Sequence, residues 1–236
     1  MEVRAIDEYN DGGHLVYFEN LAGAFVRGKT LEQALDKALK EIELYSKWIG
    51  RKVDLNDCKI TIVQKKFSRL QICDADSDVI FDSECLPLTV GRYECLKELA
   101  LKSAKDFLDI YNSIENKDDA LIKPRKTFYG DVPVTARQMY EHTKNVNSYY
   151  FGEIGVSALN EPDILTCRIE GFKRLEEQAD YLENRVYDGS FDEKWSLRKV
   201  LRRFIWHDRI HAKAMYKAAL KICGASEIEN PFCFDK

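Results

Sequence analysis

The sequence predicts a small α+β unit, residues 1–85, followed by an all-α four-helix bundle, residues 86–236. Two observations predict it. Up to about residue 85, short strand-like runs alternate with turn residues, and only one stretch has helical spacing. From about Leu88 the apolar positions recur every three or four residues and continue to do so. The switch falls around Leu86, Pro87 and Leu88, which places the boundary between residues 85 and 86.

In the first unit, VRAID and HLVYFE flank the turn signal NDGG and predict a hairpin. AGAFVRG predicts a third short strand ending at Gly28. Thr30 and Gln33 form a T-x-x-Q capping box, and one long helix follows through Leu31, Leu35, Leu39, Ile42, Tyr45 and Ile49. CKITIVQ and RLQIC predict two further strands, and the acidic, turn-rich DADSD closes the unit. The expected layout is one helix on a short antiparallel sheet.

Four helices are predicted beyond it. The first, 89–115, carries Tyr93, Leu96, Ala100, Phe107, Ile110 and Ile114 on one stripe. The second, 135–153, opens with a capping box at Thr135 and Gln138, and its stripe is Met139, His142, Val146 and Tyr149. The third, 163–187, presents Leu165, Ile169, Phe172, Ala179, Leu182 and Val186. The fourth, 195–223, presents Leu197, Val200, Phe204, His207, His211, Met215, Ala218 and Ile222. Such stripes are the seams of an antiparallel bundle. Breakers fall between the helices, at Pro124, Gly130, Pro133, Pro162 and Gly189.

The formal net charge of -4 argues against a nucleic-acid binder, which carries a basic domain or stripe. Arg198, Lys199, Arg202 and Arg203 form a basic run, but they alternate with apolar positions and are expected to be the solvated face of the last helix. The N-terminus MEVRAIDEYND lacks the apolar region of a signal peptide, and no apolar run reaches the roughly 18 residues that span a bilayer. The seven cysteines form no C-x-x-C pair and are expected to be reduced thiols, mostly packed as small hydrophobes, in a cytoplasmic protein.

Three of the four histidines lie on predicted seams. His207 and His211 are four apart in WHDRIHAKAM and share one helix face, while His142 sits on another helix. A seam imidazole is taken out of water and needs a partner for each ring nitrogen. Three neutral imidazoles could hold one metal ion and leave a position open, as catalytic sites do. The alternative is a set of core histidines hydrogen-bonded to Tyr, Asn or Asp. Metal affinity is expected to weaken below the ordinary imidazole pKa of about 6.5. Glu141, Asn145, Tyr149 and Asp208 lie within one or two turns of these histidines, with Asn145 and Tyr149 the best placed to line a pocket. Asp208 projects about 100° from His207 and is expected on a solvated face. His14, beside NDGG, is expected on the hairpin surface. No catalytic residue is assigned.

On these residues the C-terminal part, about 88–236, resembles the DinB-like superfamily, which includes YfiT-type proteins and thiol-dependent transferases. The matching features are His142 in TARQMYEHTKNVNSYYF and the H-x-x-x-H of His207 and His211 in the last helix. The resemblance implies an up-down-down-up bundle, a divalent metal (zinc or nickel) on those three histidines, and a homodimer. Many relatives follow the last histidine with Arg-Gly; here Ala212 and Lys213 stand instead, so no particular thiol cofactor carries over. The run GGHLVYFENLAGAFVRGKTLEQALDKALKEIELY resembles the HicB antitoxin-like fold over about residues 1–50, without its usual proline. That implies a binding module. No DNA-binding segment follows it, so a repressor role is not expected.

Two functions follow as expectations. One is a metal-dependent enzyme, an S-transferase or hydrolase that brings a thiol or water to a small electrophile. The other is a non-enzymatic binding or regulatory protein, with the HicB-like unit as its interaction domain and a structural metal or none.

Overall fold

The computed structural model describes residues 1–127, 130–223 and 228–235. A mixed four-stranded sheet comes first, and the chain beyond it is mostly helical. Strands β1 (Glu2–Asn10) and β2 (Gly13–Phe18) form the expected hairpin, with Asn10 opposite Gly13. Strand β3 (Phe25–Gly28) adds to β2 antiparallel, also as expected. Strand β4 (Lys59–Phe67) departs from expectation by running parallel to β1, so the order is β3-β2-β1-β4. The helical segment between β3 and β4 carries the chain across to the far edge, as a parallel pairing requires.

RLQIC forms no strand. Past Phe67 the Asn10 side-chain amide donates to the carbonyls of Ser68 (3.2 Å) and Leu70 (2.6 Å) and turns the chain off the sheet. Thr30 caps its helix as expected, accepting from the Gln33 amide at 3.2 Å. The single long helix is instead broken into α1 (Leu31–Leu35) and α2 (Ala38–Trp48). At the break, Lys37 reaches back to donate to the Arg27 carbonyl at 2.6 Å.

Helices α3 (Val90–Ser113) and α6 (Leu197–Cys223) bury the predicted stripes, except that His211 is half-buried and Ile222 is exposed. Helix α4 (Ala136–Gly152) keeps its Thr135–Gln138 capping box but presents a different face. It buries Met139, Tyr140, Thr143, Lys144, Asn147, Tyr150 and Phe151; Val146 and Tyr149 are half-buried and His142 is exposed. The face turns by about one residue because Tyr140, Tyr150 and Phe151 bring more apolar area inside than Val146 and His142 can. Helix α5 (Ile164–Glu176) stops well short of residue 187. A 3-10 turn at Tyr181–Glu183 follows, with Asn184 left-handed at φ 54, so Ala179 and Val186 are exposed. Helices α3 and α4 each pack against both α5 and α6.

The basic run of α6 is not a solvated face. Arg202 pairs with Glu84 through Nε (2.5 Å) and Nη2 (3.0 Å), and Lys199 pairs with Glu193 at 2.8 Å. Arg198 and Arg203 donate to the carbonyls of Ser83 (2.7 Å) and Ser77 (2.9 Å). Residues 76–85 form no strand and no α-helix, so their carbonyls need donors from outside, and α6 supplies them. Two more contacts tie the sheet unit to the helices. Arg209 pairs with Glu41 at 2.6 Å, and the Trp48 indole donates to Asp106 at 2.6 Å. One apolar core runs through both parts, from Val3, Phe18 and Trp48 to Phe107, Phe204 and Met215.

The side chains of six cysteines are described, all free thiols. Cys167 alone among them is buried; Cys58, Cys95 and Cys233 are half-buried, and Cys73 and Cys85 are exposed, so packing accounts for fewer than expected. Among the described residues, no helix is long and apolar enough to cross a membrane.

Glu8 on β1 is buried, accepting from the Ser77 hydroxyl at 2.5 Å and the Asp78 amide at 3.1 Å. Burial pushes its pKa up to about 7, from an ordinary 4.5. The folded state therefore holds a proton that the unfolded state has lost, and this group's stabilising contribution disappears as pH rises through that window. Glu8→Gln keeps one oxygen to accept from the Asp78 amide, turns its NH2 to donate to the Ser77 hydroxyl oxygen, and has no charge to bury. It is expected to be more stable than the parent on the alkaline side of the window and about equal on the acid side. Urea unfolding on both sides checks this; a variant that loses ground on the alkaline side contradicts it.

Candidate metal centre

The three predicted histidines come together. Helix α6 carries His207 and His211 on successive turns, and α4 brings His142 alongside. Ring centroids lie 4.3 Å apart for His207 and His211, 4.7 Å for His142 and His211, and 5.2 Å for His142 and His207. One nitrogen from each ring can be chosen so that all three lie within 4.8 Å of one another. The Nε2 atoms of His207 and His211 are 3.1 Å apart. Bonds of 2.0–2.1 Å at tetrahedral angles require donors about 3.3 Å apart, which this pair already meets to within a few tenths of an ångström. His142 stands at the exposed rim, where rotation of its side chain can close the remaining gap of at most about 1.5 Å.

The rings are held neutral. Burial lowers the pKa of His207 well below its ordinary value, and the neighbouring His211, His142, Arg203 and Arg168 lower it further. Burial, then His142, pushes His211 down to about 3. Desolvation of its ring lowers His142 too, although much of that residue's surface is open. Neutral imidazoles are what a divalent cation requires of its ligands. One feature departs from the usual pattern: the buried Nδ1 of His207 has no hydrogen-bond partner among the described residues, whereas a ligating histidine ordinarily donates its second N–H to an acceptor.

The alignment of α4 with α6 rests on a buried ion pair that the sequence reading missed. Asp208 is fully buried rather than solvated. Its carboxylate accepts from Arg168 of α5 through both guanidinium nitrogens Nη1 and Nη2, and from the Ser103 hydroxyl of α3 at 2.5 Å. Arg168 also donates to the Asn147 side chain of α4 at 3.0 Å and to the Ala100 carbonyl of α3 at 3.1 Å, and its guanidinium lies 4.1 Å from the centre of the Phe204 ring. One guanidinium thus joins all four helices at the residue next to His207. The available signal was Arg168 itself, a lone cation between Cys167 and Ile169.

The other polar candidates go elsewhere. Glu141 pairs with Lys144 at 3.0 Å. Tyr149 packs against Trp195 and Tyr150, with ring centroids at 5.7 and 5.4 Å. Asn145 is exposed. No described contact joins Asn145 or Tyr149 to a histidine ring. Outside the cluster, His207 has Tyr150 at 6.0 Å and Trp206 at 6.3 Å as aromatic neighbours. His14 is half-buried on the hairpin and bonds Asp7 at 2.9 Å, apart from the cluster. Compared with known protein families, with characterised proteins and with solved structures, the chain matches none.

Proposed function

We propose that His142, His207 and His211 hold one divalent cation, zinc or nickel, in a DinB-like four-helix bundle, and that the chain is a metal-dependent enzyme bringing a thiol or water to a small electrophile. The observation that supports it is the convergence of three neutral nitrogens from two helices, one of them at an open rim. A divalent cation on three imidazoles lowers the pKa of a water or thiol placed beside it.

The chain's own residues have distinct parts in this reading. His207 and His211 form the fixed wall of the site, because α6 sets their spacing. His142 is the rim through which a small molecule enters. Tyr150 covers His207 on its inner side and keeps bulk water from that edge. The Arg168–Asp208 pair keeps α4 and α6 in register without touching a reactant. In the same reading the chain is a cytoplasmic homodimer, and its first unit is a HicB-like binding module.

The test is turnover of small electrophiles by zinc- or nickel-loaded protein, with and without a low-molecular-weight thiol. Turnover that needs metal and thiol, and vanishes in His211→Ala, supports S-transfer; turnover without thiol supports hydrolysis. Bound metal with no turnover in either arm overturns the enzyme reading in favour of a binding protein.

A further inference from the structure

A cavity away from the histidines lies where the sheet unit meets α3. Its volume is about 270 Å³. One wall is a single stripe of α3: Arg92, Cys95, Leu96, Leu99 and Lys102 follow at helical spacing. The facing wall is the turn at Asn20, Leu21 and Ala22 together with Tyr45 and Ile49 at the end of α2, and Arg51 just beyond. The lining divides in two. Leu21, Ala22, Ile49, Leu96 and Leu99 make it apolar, and the Tyr45 hydroxyl is already spent on the Ala22 carbonyl at 3.0 Å.

The charged groups are not all equivalent. Lys102 is engaged, donating to Asp106 at 2.6 Å. Asn20 is engaged too, donating to the Glu2 carbonyl at 2.9 Å and accepting from the Arg4 amide at 3.2 Å. The guanidiniums of Arg51 and Arg92 make no hydrogen bond or ion pair among the described residues. Glu98 is the one carboxylate in the lining, and it is exposed. Two uncommitted guanidiniums from two different elements therefore flank an apolar floor. A guanidinium is a planar fork of donors that matches a carboxylate or a phosphate two bonds at a time.

We propose that this cavity binds a small amphipathic oxyanion, a compact apolar body bearing one carboxylate or phosphate, with Arg51 and Arg92 holding the anion and the α3 stripe covering the body. The volume falls just below the roughly 300–1,000 Å³ typical of drug-sized ligand sites, so the ligand is small. The site is independent of the histidines: none of its lining residues belongs to the metal centre.

Calorimetric titration of the full chain with hexanoate, phenyl phosphate and inorganic phosphate tests it. Hexanoate or phenyl phosphate is expected to bind saturably, and whichever binds identifies the headgroup. Inorganic phosphate, lacking the apolar body, is expected to bind at least about tenfold more weakly, because covering a few CH₂ groups contributes that much or more. The pair Arg51→Gln and Arg92→Gln should weaken binding at least about tenfold, and Leu99→Asp should do so from the apolar side. Thermal melts of each variant exclude unfolding as the cause, and metal content should be unchanged in all of them. Saturable binding that survives the double arginine variant, or no binding of either amphipathic anion at millimolar concentration, overturns the proposal.

Discussion

Asp208→Ala is expected to destabilise the fold by about 3–5 kcal/mol, because it leaves the Arg168 guanidinium buried without its counter-charge. The cost exceeds that of an ordinary lost hydrogen bond. Arg168 is fully buried and cannot turn to water, and its remaining partners, the Asn147 side chain and the Ala100 carbonyl, carry no net charge. For a chain of this length the loss corresponds to a fall in melting temperature of about 6–20 °C. Ser103 loses one of its two acceptors and keeps the Ala100 carbonyl at 3.0 Å. Removing both charges tells cost from specificity. Arg168→Met with Asp208→Leu should recover much of the stability, since a buried pair is stabilising chiefly by comparison with one unpaired member. Urea unfolding of the two forms measures this. A single-variant loss below about 1 kcal/mol would mean that water reaches Arg168 and that the pair does not align the helices.

The same pair shows what the sequence could and could not disclose. The stripes of α3 and α6 were legible because a buried helix face repeats every three or four residues whatever it packs against. The histidine cluster was legible for a related reason: an i, i+4 pair on a seam leaves few places for its third member. Polarity along a chain, however, records the residue and not its partner. Arg202 resembles any exposed arginine until Glu84, 118 residues earlier, is brought to it. Asp208 is likewise indistinguishable from a surface aspartate until Arg168 arrives from α5. The burial of His142 was overestimated because α4 has two overlapping apolar faces, and the choice between them depends on the aromatic residues of α5 and α6. Phe151, for example, packs on Phe172 at 5.2 Å and on Phe204 at 5.1 Å. The direction of β4 was hidden for the same reason, since strand periodicity is identical in parallel and antiparallel pairs.

His207→Ala and His211→Ala are each expected to abolish stoichiometric metal, with affinity falling by more than about 100-fold, beyond what loss of a supporting acceptor costs a metal site. His14→Ala, on the hairpin, should leave metal content unchanged. The acid limit of the site provides a second, independent check. The ordinary imidazole value would release the ion as pH falls below about 6.5. The fold changes this, because burial pushes His211 down to about 3 and lowers His207 well below its ordinary value. While the chain is folded, protons compete poorly for these nitrogens, so the ion should be retained well below pH 6.5. The unfolded chain has no such protection. Its histidines take up protons near their ordinary pKa and the folded ones do not, so the metal-free protein should lose stability as pH drops from about 6.5 toward 3. Each buried histidine contributes a slope of up to about 1.4 kcal/mol per pH unit, and His211→Ala should remove one such contribution. Metal loss should therefore coincide with unfolding. Following bound metal by mass spectrometry and fold by circular dichroism along one acid titration separates the cases. Release near pH 6.5 from a chain that is still folded would mean that at least one of the three rings, the exposed His142 first, takes up a proton there, and the neutral, preformed site would be wrong.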